Sequence, residues 1–210
     1  MNTNTTSVWR KKLKELEIVV VIPTYNNGKT LAAVIEEVCR YADDIIVVND
    51  GSTDDTANIL EQYPAIRTIT HPVNKGKGTA LKHGLSQAKK EGFRYAITID
   101  SDGQHFASDI PCFIEAIEKE PDTLLVGARN LASDNMPGKN TFANKFSNFW
   151  FRLETGLKLE DTQSGYRLYP LRKMDVQSCW YTAKYEFELE AIVFAAWGDV
   201  VVKNIPIHVY

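Results

Sequence analysis

The chain has 210 residues, of which 44% are hydrophobic and 24% charged, a balance that excludes a wholly disordered protein. A domain of this length buries roughly 70% of its unfolded surface without a covalent staple, and no run reaches the ~18 apolar residues of a membrane span. The formal charge of -3, from 24 Lys plus Arg against 27 Asp plus Glu, argues against bulk attraction to nucleic acid, so no nucleic-acid partner is expected.

Residues 1–16 are a polar, then basic, lead-in. Trp9, Leu13 and Leu16 share a helical face beside Arg10, Lys11, Lys12 and Lys14, as in an interfacial helix. The expectation is nevertheless a solvated N-terminal arm with a short docked turn, ahead of a single domain over 17–210. The start lacks an apolar stretch before its charges, so no secretory leader is expected. The β-branched run 18–22, closed by Pro23, reads as a buried strand. Leu31, Val34, Ile35 and Val38 recur at helical spacing, with Thr30 as cap. A second strand follows over 45–48, a helix over 53–60 and a short strand over 66–70. Ala80, Leu81, Gly84, Leu85 and Ala88 share one face of a longer helix that Gly92 stops. Strand 95–99 ends at Asp100. A helix through Ile110, Phe113, Ile114 and Ile117 and a strand over 123–126 complete the series.

Apolar strands alternating with helices predict an α/β fold, a doubly wound, mostly parallel sheet with helices on both faces. Ligands of such a sheet collect outside the carboxyl ends of its strands. Three polar clusters fall there: 23–26, 49–52 and 100–102. The later part is less regular. Phe142, Phe146, Phe149, Trp150 and Leu153 suit an aromatic helix face; core packing and an acceptor-side groove both account for it. A strand is expected over 164–169. A helix over 185–197 is expected to bury Leu189, Ile192, Val193 and Ala196, and a last strand over 200–207 is interrupted by Pro206. The chain stops in this strand-like run, so the natural protein is expected to continue past Tyr210. Cys39, Cys112 and Cys179 form no C-x-x-C pair and suit a reducing, cytoplasmic setting.

Several phosphate and nucleophile motifs fail. Gly28-Lys29-Thr30 lacks the first P-loop glycine, because position 23 is proline, and Gly76-Lys77 is followed by Gly78 rather than Ser or Thr. No G-x-G-x-x-G follows the first strand, and there is no G-x-S-x-G. Asp100-x-Asp102-x-Gln104 opens like a calcium loop, but His105 stands where glycine is required. Two carboxylates one residue apart at a strand end can instead share a hard divalent cation with open positions for diphosphate oxygens, with Gln104 as a neutral ligand; oxygen-rich sites favour Mg2+ or Mn2+ over zinc. The alternative is a solvated acidic turn. Asp50, before the permissive Gly51, can accept a hydrogen bond from a nucleotide base, whereas Asp54 suits a local cap or turn.

These runs carry a resemblance. Val21-Ile22-Pro23-Thr24-Tyr25-Asn26, Val47-Val48-Asn49-Asp50-Gly51-Ser52-Thr53-Asp54, Asn74-Lys75-Gly76-Lys77-Gly78 and Asp100-Ser101-Asp102-Gly103-Gln104-His105 arrive in order. They resemble family 2 inverting glycosyltransferases of the GT-A fold, most nearly the polyprenyl- and dolichyl-phosphate sugar transferases. Val126-Gly127-Ala128-Arg129 and Asp161-Thr162-Gln163-Ser164-Gly165-Tyr166-Arg167 resemble later motifs of that group. The resemblance implies a nucleotide-sugar half over 17–130 and an acceptor half over 131–210. It implies a metal-dependent hexosyltransferase using a UDP- or GDP-linked sugar. Its nucleotide-binding set is Pro23, Tyr25, Asn26, Asp50, Lys77, Asp100 and Ser101, and its metal set Asp100, Asp102 and Gln104. The implied acceptor is a polyprenyl phosphate, with peripheral membrane contact, or a saccharide hydroxyl.

For a hydroxyl acceptor, Asp161 is the candidate base. For a lipid phosphate, already an anion, Arg129 and Arg167 matter more, since guanidinium forks match phosphate oxygens. Burial of Arg167 as a partner of Asp161 or Glu160 stays equally open. Competing readings are a sugar-1-phosphate nucleotidyltransferase, which would show a Gly-rich basic loop after the first strand, and a non-catalytic nucleotide-sugar-binding module.

Overall fold

The structure, a computed structural model, describes residues 3–129, 152, 155–156, 158–174 and 186–208, with the side chains of 3–5 and 129 excepted. Seven strands make one sheet: β1 Ile18–Thr24, β2 Ile45–Asn49, β3 Arg67–Thr70, β4 Tyr95–Thr98, β5 Leu124–Arg129, β6 Arg167–Pro170 and β7 Val202–Ile207. Their order is β3-β2-β1-β4-β6-β5-β7. Strands β1 to β4 pair in parallel, as do β5 and β7, and β6 is antiparallel to both β4 and β5. The helices are α1 Thr3–Glu15, α2 Leu31–Val38, α3 Thr56–Glu61, α4 Lys77–Lys90, α5 Ile110–Lys119 and α6 Glu186–Trp197.

Strands β1, β2 and β4 are covered on both faces, which is why they are apolar; the edge strand β3 is largely exposed and polar. Alternate residues serve opposite cores. Ile18, Val20 and Ile22 of β1 pack with Leu31 and Ile35 of α2 and Phe113 and Ile114 of α5. Val19 and Val21 pack with Leu81 and Leu85 of α4 and Phe187 and Ile192 of α6. Pro23 is tolerated inside β1 because its missing N–H falls on the β4 side, beyond Val21↔Thr98, the last register pair there. Pro206 lies in the edge strand β7.

Four expectations need correction. The N-terminal arm is a helix, α1, docked by Leu13, 2% exposed, and by Trp9 packed on the same core. Arg10 donates to the Cys39 carbonyl and pairs with Asp43 at 3.0 Å, and Lys12 pairs with Glu118 at 2.6 Å. Such surface pairs are worth little, so the apolar anchor supplies the hold. Second, the last strand is not interrupted at Pro206: β7 runs unbroken over Val202–Ile207. Third, α6 buries Phe187, Glu188, Ala191, Ile192 and Ala195, so Leu189, Val193 and Ala196 are only partly buried. Fourth, the Thr30 side chain makes no capping bond to α2; its hydroxyl donates instead to the Ser101 carbonyl at 2.6 Å. The aromatic stretch around Phe142 to Trp150 lies outside the described residues.

Candidate active site

The strand register builds the site. Thr24 pairs with Asn49 and Val21 with Thr98, so the parallel strands β1, β2 and β4 end nearly level. Tyr25 and Asp50, next after β1 and β2, and Asp100, two residues beyond β4, emerge together on either side of β1, where chain connections diverge toward β2 and β4. This is the crevice in which open α/β sheets bind ligands. A cleft of about 550 Å³ lies there. Pro23, Tyr25, Asp50, Lys77, Asp100, Ser101 and Asp102, all expected from sequence, line it, as do Asn27, Asn74 and Gly76, which were not. Tyr25 is 45% exposed at this mouth and presents an open ring face.

Asn26 does not line the cleft. It adopts φ 53, a left-handed conformation that asparagine tolerates, and laces two loops together. Its N–H donates to Ser52 Oγ at 3.0 Å and its Oδ1 accepts from the Thr53 N–H at 2.8 Å. Asn27 takes the cleft position and donates to Ser101 Oγ at 2.7 Å. Asp54 is a turn residue: its carboxylate accepts from the Thr56 hydroxyl and the Gly28 amide, which hold its pKa below the usual range.

Asp50 is 2% exposed and is braced by its own chain. Oδ1 accepts from His71 Nδ1 at 2.6 Å and the Lys75 amide at 2.9 Å; Oδ2 accepts from the Gly76 amide at 2.8 Å. A carboxylate offers roughly four acceptor sites, so Oδ2 keeps one for a ligand N–H. Gly51, at φ 71, is what lets the loop close: a Cβ there would stand 2.4 Å from the Val73 carbonyl carbon.

The opposite wall is a knot of charge. Lys77, first residue of α4, reaches both Asp100 oxygens, at 2.8 and 2.9 Å, and lies 3.1 Å from Glu188 Oε1. Burial works against the ammonium charge, but Asp100 and then Glu188 outweigh it and raise the Lys77 pKa. Burial pushes the Glu188 carboxyl up, against the pull of Lys77. The knot closes around Gly165, where a Cβ would lie 2.5 Å from Asp100 Oδ2, 2.8 Å from Lys77 Nζ and 2.9 Å from Glu188 Oε1. Glu188 went unnoticed in the sequence; its only signal was its place three and four residues before Ala191 and Ile192 on the buried face of α6.

Other expected residues fall elsewhere. Arg167 is fully buried, and its guanidinium donates to the carbonyls of Ser164 at 2.7 Å, Thr162 at 2.9 Å and Glu188. It ties the 162–164 loop to α6 and does not line the cleft, so neither the acceptor-phosphate role nor a carboxylate partner describes these bonds. Asp161 is fully buried and also absent from the cleft lining; its Oδ1 accepts from the Gln163 amide at 2.9 Å. Arg129 ends β5, and its side chain lies outside the described residues. Asp102 is exposed and lines the cleft; Gln104 does not, and donates its amide to Asp102 Oδ1 at 2.9 Å. Among the described residues no group of three or more His, Cys, Asp or Glu gathers to hold a metal ion. Asp100 and Asp102 both line the cleft and could together offer oxygens to a hard divalent cation.

Likeness to known proteins bears on the family and the fold. The sequence profile of Glycosyl transferase family 2 matches residues 19–176. The UDP-N-acetylglucosamine–dolichyl-phosphate N-acetylglucosaminyltransferase of Methanococcus voltae is 31% identical over 211 positions, covering 90% of this chain and 84% of that protein. The polyprenol monophosphomannose synthase of Mycolicibacterium smegmatis is 27% identical, over 90% of this chain and 76% of its own length. A solved structure of glucosyl-3-phosphoglycerate synthase from Mycobacterium tuberculosis, in complex with Mn2+, UDP and glucosyl-3-phosphoglycerate, aligns with TM-score 0.71 at 20% identity, over 96% of this chain and 74% of that one. That last likeness is one of fold. With its strand-end cleft and three quarters of its length inside the profile, the chain belongs to glycosyl transferase family 2, as an inverting, nucleotide-sugar-dependent transferase of the GT-A fold related to the dolichyl- and polyprenyl-phosphate sugar transferases.

Proposed function

We propose that the cleft binds a UDP- or GDP-linked hexose and transfers the sugar to a polyprenyl phosphate. The observation that carries the donor half is the sequence of groups around one cleft: the open Tyr25 ring and the spare Asp50 acceptor on one wall, Lys77, Asp100 and Asp102 on the other. The first pair suits a base; on the other wall Lys77, and a cation held by the two carboxylates, would suit a diphosphate. Pro23 and Ser101 shape the floor between them. Asp100 and Asp102 are the residues that would hold Mg2+ or Mn2+, which when bound neutralises negative charge growing on the leaving diphosphate. Lys77 and the amides at the start of α4 act on the same charge.

The acceptor oxygen attacks the anomeric carbon from the face opposite the diphosphate. The carbon–oxygen bond to the diphosphate breaks, its electron pair leaves with the nucleotide, and the configuration inverts. A phosphate acceptor is already ionised and needs no base, which accords with Asp161 being buried and outside the cleft lining. The names of the Methanococcus and Mycolicibacterium relatives point to the same acceptor class. A hydroxyl acceptor is the second reading, favoured by the fold likeness to a phosphoglycerate glucosyltransferase. Arg129 is retained as a candidate for phosphate contact. Among the described residues no helix is long and apolar enough to cross a membrane; we place the protein at the cytoplasmic face of a membrane, held by its lipid acceptor.

The deciding experiment incubates the protein with Mn2+, a panel of UDP- and GDP-sugars and a polyprenyl-phosphate analogue, with product masses read out. A sugar-phosphate-polyprenol product is expected. Transfer only to hydroxyl acceptors would overturn the lipid-phosphate assignment, and no donor consumption with any acceptor would overturn both.

A further inference from the structure

Behind Asp50 runs a line of two histidines. His71, directly after β3, is 4% exposed, and its backbone N–H donates to the Asn49 carbonyl at 2.9 Å. Its Nδ1 lies 2.6 Å from Asp50 Oδ1 and its Nε2 lies 2.7 Å from Nδ1 of His83 on α4. The two rings meet edge to face, 4.7 Å between centroids. His83 is exposed, so the line runs from the cleft to solvent.

Hydrogen-bond logic assigns the protons. An ionised carboxylate only accepts, so His71 Nδ1 carries a hydrogen. The Nε2 of a neutral His71 is then an acceptor, and His83 must donate from Nδ1. One added proton fits without breaking a bond. It can sit on His83 Nε2, or on His71 Nε2 with His83 Nδ1 turned acceptor. A second proton would set two N–H groups against each other at 2.7 Å. Burial, and then the neighbouring His71, hold His83 below the ordinary histidine range. The charged groups facing the pair are Asp50, Lys75 and Lys90.

We infer that His71 is a positioning residue for donor binding: it aims the Asp50 carboxylate at the Lys75 and Gly76 amides and at the nucleotide, and His83 holds its tautomer from outside. This rests on the nucleotide-binding reading above. The chain of effect is short. Asp50 pins the two amides at the entry to α4, and Asn74, Gly76 and Lys77 line the cleft. Without His71, Oδ1 loses its shortest bond and the carboxylate is free to rotate away from the loop. A proton added at His83 puts positive charge at the outer end of the line behind Asp50 and weakens that carboxylate as an acceptor for a base N–H, so nucleotide affinity falls once pH drops below the ordinary histidine range to where His83 charges.

The test compares parent, His71→Leu, His71→Gln and His83→Ala. UDP and GDP binding is measured by calorimetry, amide exchange at Lys75 and Gly76 by NMR, and histidine tautomers by ring ¹⁵N NMR. His71→Leu should weaken the preferred nucleotide ~10-fold or more and speed exchange at both amides by a similar factor. His71→Gln, which keeps a donor toward Asp50, should recover most of both but lose the protein's share of the pH dependence. The parent's rings should both carry Nδ1–H above neutral pH. Parent-like exchange in folded His71→Leu, or a bare His71 Nδ1, overturns the inference. Should His71→Leu not fold, exposed His83→Ala decides: it should move the pH midpoint of nucleotide binding, and an unmoved midpoint overturns the inference. If the parent binds neither nucleotide, the nucleotide reading fails, while ring tautomers and amide exchange still judge the brace.

Discussion

On the β2 side of the cleft, polar side chains are tied to backbone amides; on the β4 side, charged side chains are tied to one another. Asp50 holds the Lys75 and Gly76 amides, and Asn26 holds that of Thr53. Lys77 holds Asp100 and Glu188, within 3.1 Å. An amide cannot move without its chain, so the first wall stores shape. A charge can change partner, so the second wall is ready to redistribute when an anionic diphosphate and its cation enter. Base recognition needs a fixed outline and leaving-group stabilisation needs adaptable charge, and the cleft divides the two tasks.

The largest expected effect lies behind the charged wall. Arg167→Leu leaves three buried carbonyls without their partner and should cost about 3 kcal/mol or more of stability. Urea unfolding measures it. A variant that keeps its stability yet loses turnover would return Arg167 to the acceptor. Next comes Asp102→Ala at the exposed edge of the same wall. Removing its charge should lower turnover by ~100-fold at saturating donor and Mn2+, with the fold intact, since no buried contact is lost. Unaltered turnover would break the division of labour. Asp50→Ala, on the shape-storing wall, should cost about 1.5–3 kcal/mol in UDP or GDP binding, read by calorimetry. An effect on turnover alone, with affinity unchanged, would contradict it.

The smallest effect is a pH response away from both walls, where the end of β7 meets the start of α5. His208 binds Asp109 through its amide at 2.7 Å and Nδ1 at 2.8 Å, and that hydrogen bond and charge raise its pKa above 6.5. A raised folded-state value means stabilisation fully present below about pH 6.5 and lost as pH rises through the higher value. His208→Ala should therefore shrink the fall in Tm between about pH 6 and pH 8. An undiminished fall would exclude this contact as its source.

Legibility from sequence followed the same physical lines. Strands β1 and β2 were plain because β-branched runs covered on both faces contain no competing helical period, and α4 and α5 because their apolar positions repeat cleanly. The mouth residues Tyr25, Asp50 and Asp100 were legible because strand ends aim their next residues at one crevice. The α6 face was not, because Ala191 to Ala196 is apolar throughout and offers no contrast. Asn26 and Asn27 could not be told apart, since the left-handed turn that swaps their roles is set by contacts with Ser52 and Thr53. Arg167 left two readings open because a guanidinium fork serves acceptors inside the protein as well as phosphates. Strand order was hidden too, since pairing of β6 with β4 joins residues about seventy positions apart.

That late pairing has a consequence for how the molecule comes into being. Strands β1 to β4 and the loops that carry Tyr25, Asp50 and Asp100 leave the ribosome first, but β4 has its second neighbour only when β6 has been made. Gly165 and Glu188 arrive with and after that strand. A half-made chain therefore holds Asp100 and Lys77 beside an open sheet edge, a sticky and incomplete state. Closing the sheet brings Gly165 against Asp100 and Lys77, and the helix that follows then adds Glu188, so the same late stretch of chain covers the exposed edge and completes that part of the cleft.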